Sequence, residues 1–174
     1  CEDGEVQARA KRIAAQRDGR KLMQPVQSAL EEMRSLKPSD WSQLASVLAR
    51  PSCPWTLRAL LEATAALLSH APPMRELLAP SAAADTDVST LSAASTLGAL
   101  VPTGAVDLIE SRLRLDASAT IYGAAQSLDL EELPTEVLTS LGSTLSSPNV
   151  APAAMKKQSK AAEVLCRWLR AACA

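Results

Sequence analysis

Apolar residues recur at spacings of three and four along most of the chain, the period of helices buried on one side. Val6, Ala10 and Ile13 form one such run, and Leu22, Val26, Ala29, Met33 and Leu36 form a second. Each is a heptad-type seam suited to pairing with one other helix. The two runs do not share a phase, because extending the first reaches Arg17 and Arg20. The phase changes near Gly19, and a seam interrupted in this way is poorly committed to one register. Residues 1–37 therefore read either as a long coil-forming helix or as a frayed terminal helix. Pro25 inside the run predicts a kink.

Breaks and restarts organise the rest. Lys37-Pro38-Ser39-Asp40 is a stop followed by a first-turn signature. It leads to a helix over about 39–49 with Trp41, Leu44, Val47 and Leu48 on one face. Arg50-Pro51-Ser52-Cys53-Pro54 ends it. Trp55–Ser69 reads as a buried helix carrying Leu57, Leu60, Leu61, Thr64, Leu67 and Leu68, closed by Pro72-Pro73. Residues 79–103 are rich in Ala, Ser and Thr between Pro80 and Pro102, and read as a short helix around 88–100 or a mobile insert. Helix signals resume over Ala105–Leu115, with Leu108, Ile109 and Leu113 apolar. A short turn follows around Ser118–Gln126. Pro134-Thr135-Glu136 starts another helix, running to about Leu141 or Leu145, with its exit marked by Gly142 and Pro148. The last helix is expected from about Pro152 to the end.

Composition narrows the class. The 174 residues suit one domain or one domain with an extension. Hydrophobic residues make up 47% of the chain, enough for a core, yet there is no Phe, one Tyr and three Trp. Ala and Leu dominate, both strong helix formers, and strand-type runs are missing. The expected fold is all-α. Cys1, Cys53, Cys166 and Cys173 show no C-x-x-C spacing, and with His70 alone a zinc site has no support. No segment reads as a signal peptide or a membrane span, which suggests a cytosolic chain with reduced thiols. It starts at Cys1 in mid-helix pattern, as a piece of a longer protein would.

Charge singles out the C-terminal stretch. Lys156, Lys157 and Lys160 come within five positions, with Ala161, Val164, Leu165, Trp168 and Leu169 apolar behind them. From Val150 on there are five Lys/Arg against one acid, a local +4 inside a chain of net −1. Cations at a helix start oppose the helix dipole, which suggests a task outside the fold such as meeting an acidic surface. The bland alternative is that they solvate a helix surface. Trp41, Trp168 and Cys166 sit in apolar stripes and read as core. His70 reads as a helix-end residue, and the acidic pairs Glu31-Glu32 and Glu131-Glu132 as solvated faces. No Ser or Cys nucleophile constellation and no phosphate-binding loop occurs, so neither catalysis nor a nucleotide cofactor is expected. Nucleic acid is not an expected partner, since the net charge is −1 and stacking aromatics are scarce.

The stretch "SPNVAPAAMKKQSKAAEVLCRWLRA" also resembles the last helix of the dynein heavy-chain microtubule-binding domain, the tip of that motor's stalk. Lys157, Ser159, Ala161, Ala162, Leu165, Cys166, Trp168, Arg170 and Ala171 carry the pattern. "QPVQSALEEMRSLKPSDWSQL" resembles the incoming stalk strand and first globular helix of that family, with Pro25 at a family proline. "RPSCPWTLRALLEATAALL" resembles its N-P-P loop and next helix. "LDLEELPTEVLTSLGSTLSSPNV" resembles a later pair of segments. Together they cover roughly 20–70 and 105–172, in order. The chain departs from the family where aromatic positions are Ala, Leu or Ser, and in the long 72–103 connection.

The resemblance implies a bundle of about six helices at the tip of an antiparallel coiled-coil stub. Residues 1–37 would be the incoming stalk helix, 38–165 the globular domain and 166–174 the start of the returning helix. The implied function is ATP-regulated microtubule binding, with affinity set by coil register and the ATPase elsewhere in the motor. The implied microtubule contacts are Lys37, Arg50, Arg112, Arg114, Lys156, Lys157 and Lys160, facing acidic α/β-tubulin. The divergence suggests an axonemal dynein of a cilium or flagellum. Some outer-arm heavy chains carry a leucine-rich-repeat light chain on this domain, which makes such a light chain a candidate partner. The alternative is a helical adaptor or scaffold domain that binds a protein partner and no microtubule.

Overall fold

A computed structural model of the chain describes residues 23–79 and 97–174. Every regular element among them is helical and none is a strand. The expected all-α class therefore holds for the described residues. Helix α1 covers 23–34. It is followed by α2 (Pro38–Leu48), α3 (Trp55–Leu68) and α4 (Pro72–Leu78). After a 3-10 turn at Gly98–Leu100 come α5 (Ala105–Leu115), α6 (Gly123–Ser127) and α7 (Thr135–Leu145), then α8 (Pro152–Lys156) and α9 (Lys160–Ala172).

Three of these helices are short additions to the expected set. Pro72-Pro73 does not merely close α3; Pro72 opens α4, where a first-turn proline gives up no helical hydrogen bond. The expected turn at Ser118–Gln126 is a π-type turn, Ser118–Tyr122, running into α6. The expected final helix is two helices, α8 and α9. Of the two expected ends of the helix opened by Pro134, the later one holds: α7 runs through Gly142 to Leu145. The first seam, the phase break at Gly19 and most of 79–103 lie outside the described residues. So does Lys21, the residue whose carbonyl a kink at Pro25 would involve.

The core centres on α3, which packs against α5, α7 and α9. Every residue from Ala63 to Leu68 is buried. A helix apolar all round is expected to be enclosed in this way. Its one polar member there, Thr64, donates its hydroxyl to the Leu60 carbonyl at 2.8 Å. The second seam is buried at Val26, Ala29 and Met33 of α1 and at Leu36 just beyond it. Trp41 of α2 and Trp168 of α9 are both buried in the same core, as their apolar stripes predict. Gly104 caps the start of α5 at φ 81°, a left-handed conformation that favours glycine.

Candidate functional site

The three lysines flank a joint. Lys156 is the last residue of α8, Lys157 its C-cap and Lys160 the first residue of α9. All three are exposed. Between them the chain turns tightly, with Gln158 and Ser159 both donating backbone N–H groups to the Met155 carbonyl, at 2.9 and 3.0 Å. Ser159 then caps α9, its hydroxyl accepting from the Ala161 N–H at 3.2 Å. Serine is among the strongest N-cap residues, so a helix begins here rather than passing through. This corrects the electrostatic argument drawn from the sequence. Lys156 and Lys157 lie at a helix C-terminus, where the dipole favours cations. Only Lys160 lies at a helix start, with Glu163 in the same first turn.

The joint is held from behind. Met155 is buried at 1% exposure, and Ser159 at 2%. Along α9, Ala161, Val164, Leu165, Trp168 and Leu169 are all buried, the stripe read from the sequence. Cys166 lies inside it, its thiol donating to the Val150 carbonyl at 3.2 Å. Burial pushes the Cys166 thiol up from its ordinary value, against the opposing pull of Arg170. It is a small core residue and a poor nucleophile.

The remaining predicted cations divide between two places. Lys37 is the N-cap of α2 and exposed, its backbone N–H donating to the Asp40 carboxylate at 2.9 Å. Arg112 and Arg114 lie in the last turn of α5, where the dipole favours them. Arg112 is half-buried; Arg114 is exposed and sits 3.5 Å from Glu110. Arg50 and Arg114 line one surface groove of about 450 Å³, floored by Leu48, Leu61 and Val106. Helix α2 packs against both α5 and α9. The helices that carry Lys37, the two α5 arginines and Lys160 are therefore spatial neighbours. No described hydrogen bond or ion pair joins the lysine joint to the groove.

Three arginines outside the expected microtubule contacts are structurally prominent. Arg58 of α3 lines the same groove as Arg50 and Arg114. Arg167 of α9 donates to Glu163 at 2.6 Å and to Glu32 of α1 at 3.0 Å. Arg170 donates to the Leu145 carbonyl at the end of α7. Glu32 is thus an ion-pair partner rather than only a solvated residue. The i,i+4 spacing of Glu163 and Arg167 is the one sequence signal for this set.

His70 lies in the connection between α3 and α4, as a helix-end residue would. Among the described residues no three His, Cys, Asp or Glu side chains group to hold a metal ion. No helix among them is long and apolar enough to cross a membrane. No family model, curated protein or solved structure matches this chain.

Proposed function

We propose that this chain is the microtubule-binding tip of a dynein-like stalk, binding acidic tubulin through a basic helical surface. The observation that carries the reading is the lysine joint: three exposed ammonium groups within five positions, on a turn whose other side is anchored in the core. Anchoring matters because cations on a fixed backbone lose less freedom when they meet a partner. In this reading Lys37, Arg50, Arg112 and Arg114 are further contacts with the same partner. The sequence resemblance supplies the identity of the partner.

In this reading α1 is the end of an incoming coil strand, and α9 leads into the returning one. The exposed ion pair between Glu32 and Arg167 joins α1 to the helix that carries Lys160, a contact too weak to transmit a change of seating by itself. Register control of affinity and an axonemal setting, with a leucine-rich-repeat light chain as a further partner, belong to the same proposal.

Co-sedimentation with taxol-stabilised microtubules tests it. The wild-type chain should pellet at low salt and less at moderate salt, since surface charge attraction is screened. Lys157→Glu should abolish pelleting while leaving the helical circular dichroism unchanged. A folded wild type that never pellets, in fusions clamping α1 in either register, would overturn the reading. The adaptor alternative draws support from the groove, whose lining carries charges of both signs. Pull-down of a protein partner without tubulin would favour it.

A further inference from the structure

The connection between α7 and α8 carries one serine unlike its neighbours. The hydroxyls at the end of α7 are turned back onto their own helix. Ser143 donates to the Ser140 carbonyl at 2.8 Å, Thr144 to the same carbonyl at 3.1 Å, and Ser146 to the Gly142 carbonyl at 2.6 Å. Such bonds occupy a hydroxyl with local backbone. Ser147 comes next, and its hydroxyl makes no hydrogen bond among the described residues. It is open to solvent, unlike the unpartnered hydroxyl of Ser140, which is buried.

Backbone and sequence mark the same residue. Ser147 is extended, at φ −62° and ψ 129°, the conformation that a following proline favours. Of the chain's 11 prolines, Pro148 is the only one that follows a serine or threonine. Ser146, Pro148 and Asn149 are exposed around it. A protein kinase needs an acceptor hydroxyl that is free and presented on extended chain. A proline after that acceptor brings no N–H that the enzyme would have to satisfy.

A group that can hold the product stands close by. Arg170 of α9 donates to the Leu145 carbonyl, two residues before Ser147, and lines a shallow surface groove with Leu145 and Ser146. Arg170 is exposed and forms no ion pair with a described carboxylate. A guanidinium binds phosphate through paired, charge-assisted hydrogen bonds. Without it, a phosphate just past the end of α7 would face the negative end of that helix's dipole.

We propose that Ser147 is a phosphorylation site, modified by a proline-directed serine/threonine kinase and read by Arg170. The Ser147 oxygen bonds the terminal phosphorus of ATP as the bond from that phosphorus to its bridging oxygen breaks. ADP leaves, and the hydroxyl proton passes to the kinase's base. The phosphate, with a charge of about −2 at pH 7, draws Arg170 onto itself and fastens the end of α7 to α9, which already pack together. The site stands apart from the microtubule reading and needs no tubulin.

The test uses the whole chain, ATP and a purified kinase of the mitogen-activated class. Tandem mass spectrometry should place a phosphate on Ser147, and Ser147→Ala should lose it. Urea unfolding then reads the part played by Arg170. Phosphorylation should raise the midpoint of the wild type and lower that of Arg170→Met. Arg170→Lys keeps the charge without the planar fork and should fall between them. Because Arg170 is exposed, both variants should keep the helical circular dichroism before modification. A wild type that takes up no phosphate at Ser147 would overturn the proposal. So would a phosphate that shifts the wild type and Arg170→Met alike.

Discussion

Arg167 and Glu32 stand 135 positions apart in the chain, yet their side chains meet at 3.0 Å. The same guanidinium holds Glu163 at 2.6 Å, and Glu163 is only 9% exposed. The two contacts differ in worth. Glu32 is half exposed, with 43% of its side chain open, where an ion pair contributes little. Glu163 has little water to fall back on, and removing its partner leaves a desolvated carboxylate. Arg167→Leu should therefore lower unfolding free energy by roughly 1–2 kcal/mol, against about 0.5 kcal/mol or less for Glu32→Gln. Urea unfolding of both variants checks the order; equal losses would refute the unequal assignment.

The helix restart at Ser159 has a measurable consequence. Ser159→Ala removes the oxygen that accepts from Ala161, and should cost about 1 kcal/mol. Ser159→Asp should retain most of the stability if the buried site admits the carboxylate. If α8 and α9 were one continuous helix in solution, the alanine variant would instead be neutral or slightly stabilising.

Gly142 lies inside α7, and a β-carbon built there meets nothing within 4 Å. Glycine in a helix interior costs roughly 0.5–1 kcal/mol relative to alanine. Gly142→Ala should raise the denaturation midpoint accordingly, measured by circular dichroism at 222 nm. A lower midpoint would mean that this face of α7 is covered in solution.

Burial, aided by the Arg75 guanidinium, holds the His70 imidazole below its ordinary value of 6.5. The unfolded chain therefore takes up this proton at a higher pH than the folded one. The stability linked to His70 is complete above about 6.5 and is lost as pH falls toward the lower folded value. His70→Gln should flatten that part of the profile. Urea midpoints between pH 5 and pH 8 make the comparison, and parallel profiles would acquit His70.

The three tryptophans should separate by quenching. Trp55 is 60% exposed, whereas Trp41 and Trp168 are 1% and 0%. Iodide should quench a fraction of the emission that disappears in Trp55→Ser, and the variant's spectrum should shift to the blue. Emission fully protected in the wild type would place Trp55 under a covering surface.

The helical period, with the first-turn signatures at Pro38 and Pro134, was enough to locate α2, α5 and α7 and to assign Trp41, Ile109, Leu113 and Trp168 to the core, because spacing and helix starts are local signals. It failed at Ser159. The apolar stripe of α9 continues in phase back to Met155, so the pattern alone reads as one helix. What divides it is a hydroxyl competing for backbone donors, which periodicity does not register. Lys156, Lys157 and Lys160 were legible as a cluster, but not as a cluster straddling a joint. Arg58, and the pairing of Arg167 with Glu32 as distinct from Glu163, were invisible for a different reason. Their meaning comes from Arg50 and Arg114 in one case, and Glu32 in the other. Residues brought together only by the tertiary fold leave no spacing to read.

The enclosed half of α3 is built largely from Ala63, Ala65 and Ala66, each at 0% exposure. Side chains this small let neighbouring backbones approach closely, so the spacing of helices there is set by methyl groups. Deleting bulk from such a place is hardly an option, and adding it forces neighbours outward at about 1–3 kcal/mol per overpacked site. These three positions of α3 are therefore intolerant of enlargement more than of truncation. Sequence drift and deliberate redesign alike have their latitude on the outer helices, where the charged and exposed residues already stand.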